Sequence, residues 1–295
     1  MVEFPPHALA SVPLAITLPG TCRLEVRLHS LAELSEACRK YGERLRTVEL
    51  PSRELSALET AGGIEFPERV WIRIRVAALE DLLAVDVRRW LPAGRTIFHV
   101  RVNSELPRVL NYLADLNARI HILPRPRRDH IAEGEPSDEE LLSAALQTFF
   151  HHPTLRNPIE PLGALLLTTV EGAGPSLWDT EREKTSEAFY VDAEGNVSLS
   201  ERCDNEGVRF GTVDDSYGDI TQAPPFRRFL SLRSAIFTEK LACVFCPHLR
   251  PCGGFFKALE PEADCSSWQH AFAQLAEEAS NARELAARYG GSNGG

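Results

Sequence analysis

The stretch at residues 96–124, TIFHVRVNSELPRVLNYLADLNARIHILP, decides the fold because it predicts a strand, a helix and a second strand in direct succession. TIFHVRV (96–102) and RIHILP (119–124) are short and rich in β-branched residues, whereas LPRVLNYLADLN (106–117) has a helical pattern. A helix between two strands is the usual connection of a parallel pair. The stretch therefore predicts a βαβ unit.

The same alternation extends over the first 170 residues. Further candidate strands are PLAITL (13–18), RTVEL (46–50), VWIRIRV (70–76) and ALLLTTV (164–170). Further helical patterns are LAELSEACRKYGERL (31–45), SRELSALETA (52–61) and SDEELLSAALQTFF (137–150), the last beginning with a capping box of Ser137 and Glu140. The sequence therefore predicts an α/β fold over residues 1–175, with either a parallel sheet or a partial (β/α) barrel.

The pattern changes near residue 171. EGAGPSLWDTEREKTSE (171–187) is polar and predicts a linker, and AFYVDAEGNVSLSE (188–201) predicts a β-hairpin. PPFRRFLSLRSAIFTEKL (224–241) and residues 267–289 predict helices. We therefore expect a second, smaller region over residues 176–295, built from a hairpin and helices.

Composition narrows the class of protein. The net charge is −10, which argues against nucleic-acid binding, because that function needs a basic face. The apolar runs are too short to cross a bilayer, and the amino-terminal residues lack the features of a signal peptide. We expect a cytoplasmic protein with no membrane partner, in which cysteines serve as thiols or metal ligands rather than disulfides.

A cluster of cysteines marks the C-terminal region. CVFCPHLRPCGGFF (243–256) contains Cys243, Cys246 and Cys252, and Cys265 follows thirteen residues after Cys252. Four thiolates satisfy either a tetrahedral zinc ion or a [4Fe–4S] cluster. The alternative is a set of buried free thiols, and three cysteines within ten residues favour a bound metal over that alternative. Phe245, Phe255, Phe256 and Trp268 are expected to shield the site from water.

This region resembles a known domain. FYVDAEGNVSLSE, VRFGTVDDSYGDI, APPFRRF and CVFCPHLRPCGGFF follow the order of motifs in the SPASM domain, the C-terminal extension of radical SAM enzymes that modify ribosomally made peptides. The resemblance covers roughly residues 186–270. It implies an upstream partial barrel and a cluster held by Cys243, Cys246, Cys252 and Cys265.

The departures from this family are as informative as the matches. Ser200 and Phe256 stand where the family has ligands of a first auxiliary cluster, and the upstream cysteine is missing from residues 179–186. The C-x3-C-x2-C motif that holds the SAM-cleaving cluster is also missing, because Cys22 stands alone after the first predicted strand. We therefore expect a degenerate relative that uses neither SAM nor the first auxiliary cluster.

Other residues are candidates for a site, each with a structural alternative. Cys203 is a candidate displaced ligand or a free thiol, and His248 a ligand or a loop side chain. The histidines at four positions are candidate metal ligands or hydrogen-bonding side chains: His121, His130, His151 and His152. Four arginines near the end of a predicted strand are candidate peptide-binding residues or a surface loop: Arg119, Arg125, Arg127 and Arg128.

The leading interpretation is a peptide-binding component of a ribosomal-peptide modification pathway. It would act alone or as half of a heteromeric enzyme, with a precursor peptide and a homologous or neighbouring subunit as partners. The alternative is a metalloenzyme or redox enzyme that modifies the peptide without SAM cleavage. A third interpretation is a regulator that binds a partner at the mouth of the barrel.

Overall fold

The computed structural model describes residues 9–13, 23–30, 32–60, 70–90, 95–125, 134–172, 174–181, 188–236, 242–258 and 263–290. The strands are β1 (Leu9–Pro13), β2 (Arg23–Arg27), β3 (Leu45–Pro51), β4 (Trp71–Val76), β5 (Thr96–Arg101), β6 (Arg119–Leu123), β7 (Ile159–Glu160), β8 (Ala188–Val191), β9 (Asn196–Ser198) and β10 (Gly211–Thr212). The helices are α1 (Glu33–Tyr41), α2 (Leu55–Thr60), α3 (Leu79–Leu83), α4 (Leu106–Asp115), α5 (Asp138–His151), α6 (Leu162–Glu171), α7 (Leu177–Thr180), α8 (Glu201–Asn205), α9 (Tyr217–Gln222), α10 (Pro224–Ala235), α11 (Leu249–Cys252) and α12 (Ser266–Gly290). Short 3₁₀ helices lie at Gly42–Arg44, Ser52–Glu54, Val87–Trp90 and Ala242–Phe245.

One sheet contains all of these strands, in the order β10-β9-β8-β1-β2-β3-β4-β5-β6-β7. The neighbours from β8 to β7 run parallel, whereas β8–β9 and β9–β10 are antiparallel. This order confirms the predicted α/β class and is that of an open barrel. The region predicted as a second domain shares the sheet, because β8 pairs with β1.

Four predicted strands are confirmed as β3 to β6, and the predicted hairpin is β8–β9. The capping box at Ser137 is also confirmed, since Ser137 and Glu140 each accept a hydrogen bond from the other's backbone N–H. Of PLAITL (13–18), only Pro13 belongs to the described residues, as the end of β1. Strand β2 was not predicted, because three of the five residues of RLEVR are charged.

The predicted strand ALLLTTV (164–170) is wrong, because this segment belongs to helix α6. Its apolar run hides a helical pattern: Leu162, Leu165 and Thr168 are buried at a spacing of three, whereas Leu167 is 52% exposed. The Glu160 carboxylate accepts a hydrogen bond from the Ala164 N–H at 3.1 Å, which caps the first turn of the helix. A continuous apolar run does not separate strand from helix by itself.

The two faces of the barrel sheet differ in chemistry because side chains alternate along each strand. On the outer face, the apolar residues of β4, β5 and β6 are buried beneath helices: Ile72, Ile74, Val76, Phe98, Val100, Ile120 and Ile122. Helix α4 covers β5 and β6, and α12 packs against α5 and α6. The inner face carries the charged residues described below. No helix within the described ranges is long and apolar enough to span a bilayer.

Adjacent leucines on α3 test the assignment of the outer core. Leu82 is fully buried and Leu83 is 58% exposed. We expect Leu82→Ala to lower the free energy of unfolding by about 2–5 kcal/mol, because it opens a cavity. Leu83→Ala is the matched control and should change it by less than about 0.5 kcal/mol. Urea denaturation measures both, and equal effects would contradict the assignment.

Candidate functional site

A cavity of about 420 Å³ lies between the inner face of the barrel and the C-terminal region. Strands β2 to β6 form one wall, and β8, α8, the residues around Glu181, and Phe255 form the other. Arg27, Arg101 and Leu123 line it and are the last residues of their strands. The cavity therefore lies at the carboxyl ends of the parallel strands, where α/β barrels bind ligands.

Alternation along the strands places polar side chains in this cavity. In RLEVR, WIRIRV and TIFHVR every second residue faces outward and is buried, and all of these except Thr96 are apolar, so the charged residues between them face inward. The inward side chains that line the cavity include Glu25, Arg27, Glu49, Arg73, His99, Arg101 and His121. A barrel interior this rich in charge must pair its charges, since unpaired buried charges are costly.

Arg27 is the centre of the ionic network. Its Nε donates to Glu49 Oε1 at 2.9 Å, and its Nη1 and Nη2 donate to the two carboxylate oxygens of Glu201 on α8 at 3.1 and 2.8 Å. Arg101 also lies 3.5 Å from Glu201 Oε1, and Arg75 lies 3.4 Å from Glu49 Oε1. The network therefore joins four strands of the barrel, β2 to β5, to α8.

The network changes the ionisation of its members. Burial disfavours the charged form of Arg27, but Glu49 and Glu201 outweigh burial and raise its pKa. Burial opposes ionisation of Glu201 in the same way, and Arg27 outweighs it, so the pKa of Glu201 lies below its ordinary value. Burial prevails at Arg75, whose pKa is lowered. The Arg27–Glu201 pair is thus the best compensated part of the network.

A second polar group lies on the β5–β6 side of the cavity. His99 and His121 are paired in the parallel register, with ring centroids 5.0 Å apart. The Nε2 atom of His121 lies 3.0 Å from Glu181 Oε1. This group was only partly predicted: His121 was a candidate, whereas His99 and Glu181 were not.

A smaller cavity of about 40 Å³ brings the four predicted cysteines together: Cys243, Cys246, Cys252 and Cys265 line it with His248, Leu249, Gly254, Phe256, Lys257, Gln269 and Phe272. The side-chain amide of Gln269 lies 3.4 Å from Cys265 Sγ and 3.8 Å from Cys246 Sγ, and donates to both. The described side chains do not include a group of three or more His, Cys, Asp or Glu already placed to hold a metal ion. The structure thus gathers the thiols without placing them at ligand geometry.

The backbone around Cys252 explains the paired glycines of the motif. The backbone N–H groups of Gly254, Phe255 and Phe256 hydrogen-bond to the Cys252 thiol, yet burial outweighs them and raises its pKa to about 11. Burial also raises the pKa of Cys243 and Cys265. Gly253 has φ +64°, and a Cβ there would lie 2.5 Å from Ser176 Oγ. Only glycine fits this turn.

The aromatic shield was predicted only in part. Phe255 and Trp268 are buried and Phe256 lines the cysteine cavity, but Phe245 is 78% exposed. Phe245 therefore does not shield the thiols, and Phe272 lines the cavity instead.

Phe255 connects the two cavities. It lines the central cavity, and its backbone N–H hydrogen-bonds to Cys252. The Arg202 guanidinium lies 3.7 Å from the centroid of the Phe255 ring and donates to the Phe255 carbonyl at 2.8 Å. The cysteine cluster therefore supports one wall of the central cavity.

The remaining candidates do not form one group, although Arg125 lines the central cavity. Arg119 lies at the amino end of β6, over the Trp71 ring, and Arg125 lies beyond the carboxyl end, paired with Asp138 at 2.9 Å and Glu135 at 3.4 Å. Among the histidines, His152 pairs with Asp115 at the end of α5. Cys203 is buried on α8. Cys22, Arg127, Arg128 and His130 lie outside the described residues.

Comparison with known proteins supports the fold. No model of a known protein family matches the sequence, and no curated protein matches it. The chain is similar to a solved structure described as "Native anSMEcpe with bound AdoMet", with a TM-score of 0.58 and 14% identity over 88% of this chain and 85% of that one. At this identity the likeness concerns the fold alone. The chain has a radical SAM-like α/β fold, whereas the SPASM-like character of its C-terminal region stays a prediction.

The lowered pKa of Glu201 makes a prediction about acid stability. Its carboxylate stabilises the fold fully above its ordinary pKa of about 4.3, and this contribution is lost as the pH falls through the lower pKa of the folded state. We expect Glu201→Gln to lower the free energy of unfolding at pH 7 by about 1–3 kcal/mol, less than for a fully buried pair because Glu201 is partly exposed. The variant should also lose less stability than the wild type between pH 5 and pH 3, about the range of that titration.

Denaturation at each pH measures this effect. Glu277→Gln, an exposed change on α12, is the control and should leave stability at pH 7 nearly unchanged. Identical pH profiles for Glu201→Gln and the wild type would contradict the assignment.

Proposed function

We propose that this chain is a peptide-binding component of a ribosomal-peptide modification pathway, acting alone or as half of a heteromeric enzyme. The observation that carries the proposal is the polar cavity at the carboxyl ends of the strands, roofed by α8. Its volume of about 420 Å³ suits one or two side chains of a bound peptide rather than a folded partner.

The peptide main chain would bind beside β6. Within the described ranges, only Ile120 and His121 of β6 pair with β7, which has two residues. A short edge partner leaves room for an extended peptide to add a strand, with alternate side chains entering the cavity. Arg125 follows this edge, lines the cavity and pairs with Asp138 and Glu135, and it would contact an acidic group of the bound peptide.

The fold would serve binding rather than SAM cleavage in this chain. The seven cysteines at positions 22, 38, 203, 243, 246, 252 and 265 contain no C-x3-C-x2-C spacing. A single thiolate near the first strands cannot hold the cluster that this chemistry needs. The similarity of fold then supports a role related to that of the radical SAM enzymes, without their defining reaction.

The four-cysteine cluster would hold zinc or one [4Fe–4S] cluster. Cys243, Cys246, Cys252 and Cys265 supply four sulfur donors around one cavity, which is the donor set that both groups take. Zinc there would contribute folding free energy, and a cluster would add electron transfer. We assign the centre a structural role.

One observation favours the alternative of a redox or metalloenzyme. Phe255 contacts both Cys252 and the central cavity, so a ligand in that cavity would lie close to the cysteine centre. Visible absorption of anaerobically purified protein separates the interpretations. An iron–sulfur spectrum would favour the redox enzyme, and colourless protein with one zinc per chain would favour the structural site.

Serine substitution tests the cysteine centre. We expect Cys252→Ser to remove most of the bound metal and to lower the melting temperature sharply, because the free energy of metal binding is also folding free energy. Cys38→Ser on α1 is the control and should leave the metal content unchanged. Metal analysis and thermal melting measure these effects, and full metal content in Cys252→Ser would exclude Cys252 as a ligand.

A substitution at the rim tests peptide binding. Asn205 is exposed at the end of α8 and lines the central cavity. We expect Asn205→Trp to weaken binding of the cognate precursor peptide at least about tenfold, or 1.4 kcal/mol, by filling the cavity entrance. Fluorescence anisotropy with labelled precursor peptides encoded beside this chain's gene measures the affinity.

The exposed α12 residue Glu277 offers a control for this experiment. Glu277→Trp adds the same indole outside the cavity and should bind the peptide as the wild type does. The proposal fails if the wild type binds none of these peptides, or if the two tryptophan variants bind them equally.

A further inference from the structure

Two imidazoles and two carboxylates lie together on one wall of the central cavity. His99 on β5 is paired with His121 on β6, and His121 is paired with Glu160 on β7. Neighbouring parallel strands are about 4.8 Å apart, so the register alone sets these side chains side by side. All three line the cavity.

Glu181 completes the group from the opposite side. It follows α7, whose first turn is fixed by a capping box of Ser176 and Asp179. Its Oε1 atom lies 3.0 Å from His121 Nε2. His99 is 8% exposed, and the side chains of His121 and Glu181 are 18% and 13% exposed. The group is thus buried yet in contact with the cavity.

We infer that His99, His121 and Glu181 form a binding site for a divalent first-row transition-metal ion. Two imidazoles with one carboxylate are a donor set that zinc and ferrous iron both accept while keeping positions open to other ligands. The open positions would face the cavity. This site is separate from the four cysteines and does not rest on the proposed binding of a peptide.

The distances bring the donor side chains near shared coordination, although the described side chains do not yet form a three-donor group. Donor atoms about 2.1 Å from one ion lie about 3.0 Å apart when their bonds are at right angles. The 3.0 Å between His121 Nε2 and Glu181 Oε1 matches that edge. When two imidazoles bind one ion through metal–nitrogen bonds of about 2.1 Å, and the angle between these bonds is about 90–109°, the ring centroids lie about 4.6–5.3 Å apart. The centroids of His99 and His121 are 5.0 Å apart.

Closing the site requires side-chain rotation. The described side chains contain no group of three already at metal-binding geometry. The paired register fixes the two histidine backbones, so the remaining adjustment is in the rings and in the Glu181 carboxylate. Rotation between staggered side-chain positions is a small change compared with moving a strand.

The surrounding charges favour a cation. Arg75 on β4 is paired in register with His99 on β5. Its guanidinium lies 3.4 Å from Glu49 Oε1, so that carboxylate balances its charge. Glu160 adds a second carboxylate beside His121, and its Oε2 accepts a hydrogen bond from the neutral backbone N–H of Ala164 at 3.1 Å.

Arg101 and Arg125 also line the cavity, but each lies within 3.5 Å of a carboxylate that balances it, Glu201 and Asp138 respectively. The group of His99, His121, Glu160 and Glu181 therefore carries net negative charge when the imidazoles are neutral.

Cobalt(II) binding to the full chain tests the inference. Thiolate-bound cobalt has an intense charge-transfer band, whereas cobalt on nitrogen and oxygen has only weak visible bands, so the two sites have different spectra. We expect chelator-treated protein to bind one equivalent of cobalt with weak bands alone, besides any bound by the cysteines. A wild-type titration in which all bound cobalt shows the thiolate band would overturn the inference without any variant.

Variants locate the site. We expect His99→Ala/His121→Gln to weaken the weak-band site at least about 100-fold, and Glu181→Gln to weaken it about 10- to 100-fold, by loss of ligands or of ligand orientation. His270→Gln, on the surface of α12, is the matched control and should bind cobalt as the wild type does. Unchanged binding in the double variant would assign the cobalt elsewhere and overturn the inference. Peptide affinity is measured separately, so its failure would leave this result standing.

Discussion

The ion pair between Arg27 and Glu201 is the interaction on which the arrangement of the molecule depends. Arg27 ends β2 on the inner face of the barrel, and Glu201 begins α8 in the C-terminal region. A guanidinium in this interior needs carboxylate partners, because removing one partner leaves a buried charge uncompensated. The pairing therefore holds α8 across the strand ends, and the space beneath α8 becomes the central cavity.

Contacts continue from this pair to the cysteine cluster. Arg202 follows Glu201 and packs its guanidinium on the Phe255 ring. The Phe255 backbone N–H then hydrogen-bonds to Cys252, one of the four clustered thiols. A chain of ionic, cation–π and hydrogen-bonding contacts thus runs from the barrel to the cysteines. Occupancy of the cysteine centre would stabilise the wall of the cavity through this chain.

The sequence predicted those parts of the structure that depend on local pattern. VWIRIRV and TIFHVRV are strands because their alternation and β-branched residues are local signals, and the cysteine cluster follows from short spacing. ALLLTTV was misassigned because a continuous apolar run carries no visible period. β2 was missed because three of the five residues of RLEVR are charged, which hides the apolar pattern of a strand.

The central cavity could not be predicted in the same way. Its key contacts join residues far apart in the chain, such as Arg27 with Glu201 and His121 with Glu181. One signal was present: RLEVR, WIRIRV and TIFHVR alternate apolar residues with charged ones or histidine in what are parallel strands. Parallel strands buried on both faces are usually apolar throughout, so this alternation indicates a polar interior.

The central claim is that the space beneath α8 is the ligand site, and hydrogen–deuterium exchange with a saturating precursor peptide tests it most directly. The account predicts slower exchange of backbone amides in β6 and α8 on binding, with α12 unchanged. Binding that slows exchange along α12 while leaving β6 and α8 unchanged would contradict it.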